Sequence, residues 1–319
     1  MSRSLFVAGA AGLSALLCAA GALAHGTAGN RFFVASMLVE DPFVADELAL
    51  PTISSMRERG GGDEPGSRET EISVEWAKTI TPSFAISFEQ AYSIVKPKGE
   101  KSVRGFGNLE VGFKYQVVKD PAAEFVLSFG VGFEVGGWGN KRVEADSFWS
   151  AAPTVYFGKG LGDVGVDFLR PLAITGAVGV NVPFKKRTST TTFNPDKMEF
   201  ETEVERHYKT LQWGMTLQYS LPYLQANVRD IGLGAPFERL VPIVEMAFET
   251  PLGGPNRKTT GTINPGFIWT GEQIQLGLEA QIPINRESGK GVGVLMQVHF
   301  YLDDIFPNSI GKPIFGAAK

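Results

Sequence analysis

The sequence predicts an all-β fold: a transmembrane, antiparallel, up-and-down β-barrel of about 12 strands, following a cleaved signal peptide. Three observations carry this. Apolar and polar residues alternate with period two through most of the chain, which gives each strand one apolar and one polar face. The alternating runs are long, most of them roughly 11 to 14 residues, whereas soluble strands run about five or six and membrane-spanning strands need about 9 to 11. The connections alternate between long and short, as outer loops and periplasmic turns do in single-chain barrels.

The first element is an export signal. "MSRSLFVAGAAGLSALLCAAGALA" carries one positive charge, Arg3, then an apolar run, then Ala22-Leu23-Ala24, the three parts of a secretory leader. A membrane anchor would need about 20 apolar residues and a positive flank, and "HGTAGN" after Ala24 supplies no such flank. The single cysteine, Cys18, lies inside the leader, with Leu17 where a lipoprotein site wants a small residue. The mature chain is therefore expected to begin at His25, without cysteine or disulfide. Residues 25–44, "HGTAGNRFFVASMLVEDPFV", precede the first strand and carry Phe32, Phe33 and Phe43. They are expected to enter the lumen as a plug or to lie beneath the barrel on the periplasmic side.

The barrel is expected over 45–304, with strands at 45–57, 69–80, 84–95, 106–119, 124–137, 147–158, 163–176, 206–220, 238–250, 259–270, 273–285 and 291–303. "NLEVGFKYQVV" (108–118) shows the pattern: Leu109, Val111, Phe113, Tyr115 and Val117 oppose Glu110, Gly112, Lys114 and Gln116. "EFVLSFGVGFEVG", "IQLGLEAQIPI" and "VGVLMQVHFYL" repeat it. Long polar connections such as "RERGGGDEPGS" and "KKRTSTTTFNPDKMEFETEVE" follow odd strands, and "TPS", "DPAA" and "GE" follow even ones. "LPYLQANVRDIGLGAPF" (221–237) is too long for the periplasmic side and is expected to hide a helix or two further strands. Trp76, Tyr92, Trp138, Trp149, Trp213 and Trp269 fall near strand ends, where interfacial girdles form. A tail, 305–319, closes the chain.

Composition removes some classes of function. The chain has 30 lysines and arginines, one of which leaves with the leader, against 34 aspartates and glutamates. With no basic stripe and no known motif, a nucleic-acid partner is not expected. The glycine-rich pieces "GKGLGDVG", "FGVGFEVGG" and "GKGVGV" do not open a helix after a buried strand, so they read as turns and strand bends rather than phosphate loops. No cofactor is expected. The three histidines, His25, His207 and His299, lack the spacing of a metal site. A mature N-terminal His25 would need a second histidine nearby to bind copper, and only strands 8 and 12 offer one. A lipid-cleaving barrel of the outer-membrane phospholipase kind sets a serine two residues after its histidine, on the same strand face. Here Lys209 follows His207 and Tyr301 follows His299 at that spacing, so no catalytic residues are assigned.

The polar face is the more informative constellation. Opposite the apolar face stand Glu75, Glu89, Glu110, Lys114, Glu134, Asp167, Glu245, Glu249, Gln275, Glu279, Gln297 and His299, the candidates for lining the lumen. The carboxylates far outnumber Lys114, which implies a lumen that disfavours anions and tolerates cations or neutral solutes. Twelve strands lie between filled eight-stranded barrels and open 16- to 18-stranded porins, so a narrow or plugged passage is expected. The basic loops "KPKGEKSVRG" and "GGPNRK" suit the phosphates of an outer leaflet, making outer-membrane lipids and lipopolysaccharide the expected surroundings.

The start of the mature chain, "AHGTAGNRFF…EDPFVADELALPT", and its end, "VHFYLDDIFPNSIGKPIF", resemble proteobacterial outer-membrane proteins of the family named for the meta-pathway of phenol degradation. That resemblance covers about a fifth of the chain and implies a barrel transporter or porin-like protein for aromatic or other hydrophobic compounds. Many barrels end on an aromatic residue in the last strand. Here 16 residues follow Asp303, which leaves the signal for the barrel-assembly machinery internal, around "VHFYL". The function expected is passive passage of a small-molecule solute through the outer membrane. A closed structural or adhesion barrel with a long external loop is the alternative, and an outer-membrane hydrolase a more distant one.

Overall fold

The computed structural model describes residues 26–60, 65–194, 198–255 and 257–316; the leader and His25 lie outside the described residues. Twelve antiparallel strands form one closed barrel. They are β1 (Glu47–Arg57), β2 (Ser67–Thr81), β3 (Phe84–Pro97), β4 (Val103–Asp120), β5 (Phe125–Val135), β6 (Ser150–Gly160), β7 (Leu172–Pro183), β8 (Thr210–Tyr219), β9 (Leu240–Pro251), β10 (Thr260–Thr270), β11 (Ile274–Pro283) and β12 (Gly293–Tyr301). Each pairs with its neighbours in sequence, and β12 pairs with β1 from Val294↔Ser55 to Tyr301↔Glu47, which closes the wall and removes the edges.

The period-two pattern sets which side chains face the membrane. Ile72, Trp76, Phe88, Phe106, Tyr115, Phe129, Val155, Val178, Phe267, Leu276 and Met296 stand exposed on the outer surface. An apolar belt of this extent on a closed barrel is a lipid-facing surface. Aromatic pairs gather towards its two rims: Trp76 stacks on Phe88 with centroids 6.0 Å apart, Tyr92 meets Phe106 edge-on at 5.0 Å, and Trp213 meets Phe248 at 4.6 Å.

Tight turns after β2, β4 and β10 mark the periplasmic end. The 221–237 connection carries a short helix, α1 (Leu221–Asn227), capped by Ser220, whose Oγ accepts the Tyr223 N–H at 3.1 Å. At the outer end, the connection between β7 and β8 forms a two-stranded hairpin, with 187–194 paired to 199–206 and Phe193 packed on Phe200.

One strand lies elsewhere than its pattern suggests. The seventh strand, expected at 163–176, runs instead over Leu172–Pro183, and 161–171 form a long periplasmic connection of successive turns. "GDVGVDF" alternates apolar residues with glycine and aspartate, as a strand would, but glycine and aspartate are turn residues. The true β7 faces the lumen with Ala173, Thr175, Ala177 and Gly179, so its polar face is faint. After β12 a single helical turn, α2 (Leu302–Ile305), leads to a tail that returns beneath β2, where the Phe315 N–H meets the Ile80 carbonyl at 2.8 Å.

The buried core lies inside the periplasmic half of the barrel. Val34 packs with inward-facing Val241, Ile243 and Ile268, while Ala28, Phe33 and Phe43 pack with Val126 and Ala173. The N-terminal segment supplies four of these nine side chains.

Candidate functional site

Residues 26–46 rise into the barrel from its periplasmic end and return to start β1. The entry is fixed by Arg31, which is fully buried. Its Nε donates to Glu124 Oε2 at 3.2 Å, and its terminal nitrogens donate to the Pro171 carbonyl at 2.9 Å and to the Arg170 carbonyl. The guanidinium carbon lies 3.6 Å from the centroid of the Tyr223 ring, whose hydroxyl donates to Glu124 Oε1 at 3.1 Å. One cation thus joins the N-terminal segment to the β4–β5 turn, the β6–β7 connection and α1. Gly29 (φ +63°) passes so close to that turn that a Cβ there would stand 2.2 Å from the Pro121 carbonyl oxygen.

Higher up, wall side chains hold the segment by its backbone. Gln218 accepts from the Val34 N–H and donates to its carbonyl, both at 3.1 Å. Gln275 does the same for Ala35, at 3.2 and 2.6 Å. Glu245 accepts three consecutive N–H groups, from Met37, Leu38 and Val39, at 2.6, 2.8 and 3.2 Å. Gly214 and Gly277 make room for the turn: a Cβ at the first would meet Val39 Cγ2 at 2.7 Å, and at the second Met37 Sδ at 2.5 Å. Lys114 reaches across from β4, its Nζ 2.7 Å from Glu40 Oε1 and 2.8 Å from the Asp41 carbonyl oxygen. The chain then descends, with Ser128 donating to the Pro42 carbonyl, and Lys78 and Thr79 donating to Asp46.

Above this floor lies a cavity of about 620 Å³. Ala35 to Asp41 form its base; Glu75, Glu89, Glu110, Lys114, Glu249, Gln297 and His299 stand on its walls. Three of the carboxylates belong to one row. Register sets Glu75 opposite Glu89, Glu89 opposite Glu110, and Glu110 opposite Glu134, across β2 to β5. Like charges placed directly opposite destabilise a sheet, so this row depends on the solvent and counter-ions of the lumen.

The remaining candidates are placed as follows. Glu134 sits near the outer rim, accepting from Asn108 Nδ2 at 2.7 Å and Ser150 Oγ at 3.3 Å. Gln275, Glu245 and Glu279 lie lower, buried beneath the N-terminal segment. Asp167 is corrected: it lies in the 161–171 connection, its side chain 83 % exposed beside Arg170, because β7 starts later than the alternation suggests. His299 Nε2 lies 3.3 Å from Glu47 Oε2, and the following same-face residue, Tyr301, donates to Gln275 Oε1 at 2.9 Å. His207 lies outside the barrel strands, packed at a tilt against Phe148 and bonded to Thr188 Oγ1 at 2.9 Å. In the same outer loops, burial raises the Asp146 carboxyl above its ordinary range, reinforced by Glu134 and Glu205 and opposed by His207.

Sequence reasoning missed Arg31, Glu124 and Gln218. Arg31 had a signal, being the one basic residue in an otherwise apolar and acidic lead-in. Gln218 shares the inward phase of β8 with Thr216.

A closed 12-strand barrel with a lipid-facing belt and a polar interior defines an outer-membrane β-barrel protein. One solved structure agrees on the fold. The COG4313 outer-membrane channel from Pseudomonas putida F1 matches with a TM-score of 0.51 at 11% identity, over 82% of this chain and 97% of that one. The β-domain of the Bordetella autotransporter BrkA matches at 0.48 and 10% identity, over 81% and 99%. The translocator domain of the autotransporter NalP from Neisseria meningitidis matches at 0.46 and 9% identity, over 82% and 90%. At 11% identity the likeness to the channel concerns the fold alone, and the two autotransporter domains carry no further weight. No family model matches the chain, and no curated protein matches its sequence. The resemblance to the phenol meta-pathway family therefore stands at the level of an outer-membrane barrel.

Proposed function

We propose that this protein is an outer-membrane channel that passes small solutes by passive diffusion through a polar, acidic lumen, with residues 25–44 acting as a plug. The observation that carries this reading is the cavity of about 620 Å³ above the N-terminal segment, whose walls present Glu75, Glu89, Glu110 and Glu249 against one lysine, Lys114. Such a wall concentrates cations and leaves neutral molecules indifferent, while anions meet a barrier. Aromatic or hydrophobic solutes come from the family resemblance; the wall chemistry favours those members that are neutral or cationic. A lipid-cleaving role is not part of this reading, since neither His207 nor His299 has a serine at the same-face spacing of those barrels.

Liposome swelling tests the reading. Small neutral sugars are expected to enter slowly through the full chain and faster after deletion of residues 25–44. Absence of flux in both would refute a channel. It would favour the second reading, a closed structural barrel that meets an external partner. That reading has its own support: the N-terminal segment fills the lower lumen, and the 187–206 hairpin carries exposed Met198 and Phe200 at its tip.

A further inference from the structure

Beneath the N-terminal segment, inward side chains of β8 to β11 are sealed from solvent: Thr216, Glu245 and Asn264 are fully buried and Glu279 is 2% exposed. Register sets Thr216 opposite Glu245 and Glu245 opposite Asn264. Partners so placed have Cβ atoms about 4.5–5.5 Å apart. Glu279, on β11, stands opposite Gly266 of β10, where a Cβ would fall 2.6 Å from Glu279 Cγ. The bare glycine lets Glu279 lean across β10, and its carboxyl comes within hydrogen-bonding reach of that of Glu245. The side chains of Glu245, Asn264 and Glu279 therefore converge over one strand.

The donors around this point do not balance. Glu245 is well served, by the N–H groups of Met37, Leu38 and Val39. Apart from the neighbouring Glu245 carboxyl, itself an acceptor, nothing meets the Glu279 oxygens, and Asn264 Oδ1 and Nδ2 and Thr216 Oγ1 have no hydrogen-bond partner among the described residues. The main influences on the two carboxyls are burial, the backbone N–H groups of residues 37–39 and each other, with no cationic side chain among them. Buried polar atoms are almost always partnered, and two adjoining buried carboxylates need a counter-charge.

We propose that Glu279, Asn264 and Glu245 hold a hard, oxygen-seeking cation, sodium or calcium, beneath the N-terminal segment. Every available donor is a carboxylate, amide or hydroxyl oxygen, the set that selects hard cations over soft ones. A proton shared between the carboxyls would engage a single Glu279 oxygen and leave Asn264 Oδ1 unmet; a cation engages several oxygens together. The ion would also orient Glu245, whose oxygens grip Met37 to Val39, and so tie the top of the segment to the wall. This site is independent of the channel reading.

Equilibrium dialysis tests it. Purified full-length protein in detergent is stripped with a chelator and dialysed against radioactive calcium in one arm and radioactive sodium in the other. One arm is expected to show about one bound ion per chain, weakened at least tenfold by Glu279→Gln, which keeps the shape of the side chain. Heat-dependent gel mobility reports whether the variant barrel is folded; should it not be, Asn264→Ala carries the same comparison. Binding in neither arm, or binding undiminished in the folded variant, overturns the proposal.

Discussion

Lys114 Nζ stands 2.7 Å from Glu40 Oε1, so strand β4 holds the top of the N-terminal segment across the lumen. The pair is half open on its glutamate side, with Glu40 44% exposed against 14% for Lys114. An ion pair of that kind, with the added hydrogen bond to the Asp41 carbonyl, is worth about 1–2 kcal/mol. Lys114→Met is expected to loosen the segment without unfolding the barrel. Single-channel recording should show more frequent openings and stronger cation preference, because the one lysine on the cavity wall is gone.

The two glycines under the turn give an independent route to the same result. Gly214→Val places new atoms where Val39 now sits, and Gly277→Leu places them where Met37 sits. Both positions face the lumen; at Gly277 the new atoms meet the Met37 side chain, so the wall should form as before, whereas at Gly214 a Cβ also meets the Met246 carbonyl oxygen at 2.7 Å, which makes Gly277→Leu the cleaner variant. Conductance is expected to rise in each variant, and limited proteolysis should cut between 34 and 44 where the parent resists.

Arg31 and Glu124 make a different prediction. Both are buried, and each satisfies the other with Tyr223 as third member. Removing one partner of a buried pair costs about 3–5 kcal/mol, since the remaining charge stays uncompensated. Arg31→Met should lower the urea midpoint of unfolding by more than Arg31→Met combined with Glu124→Gln, which removes both charges.

The barrel was legible in the sequence because its cause is local. A side chain's phase along a strand decides whether it meets lipid or lumen, and Leu109 to Val117 display that phase without help from the rest of the chain. Glu75, Glu89 and Glu110 could be placed inward on this ground, although their alignment into one row depends on register between strands. β7 was obscured because its lumen face is built of alanine and glycine, leaving "GDVGVDF" with the stronger alternation. The path of the N-terminal segment was illegible for another reason. Arg31 and Glu124 are 93 residues apart, and Glu245 binds the backbone of residues 37–39, which no side-chain pattern announces.

The acidic wall predicts a pH dependence. The row Glu75, Glu89 and Glu110 faces the cavity, and protonating it removes the charge that draws cations. Lowering the pH should therefore reduce cation preference while leaving a neutral solute's flux little changed. Glu89→Gln, in the middle of the row, should lessen the preference already at neutral pH.

Ion selectivity is the most direct test of the lumen's chemistry. The protein is reconstituted in a planar bilayer under a tenfold potassium chloride gradient, and the reversal potential is measured for the full chain and for the form lacking residues 25–44. A reversal potential of cation-selective sign is expected in both, with larger conductance in the shortened form. An anion-selective sign, or no conductance in either form, would contradict a cation-favouring channel closed in part by its own N-terminal segment.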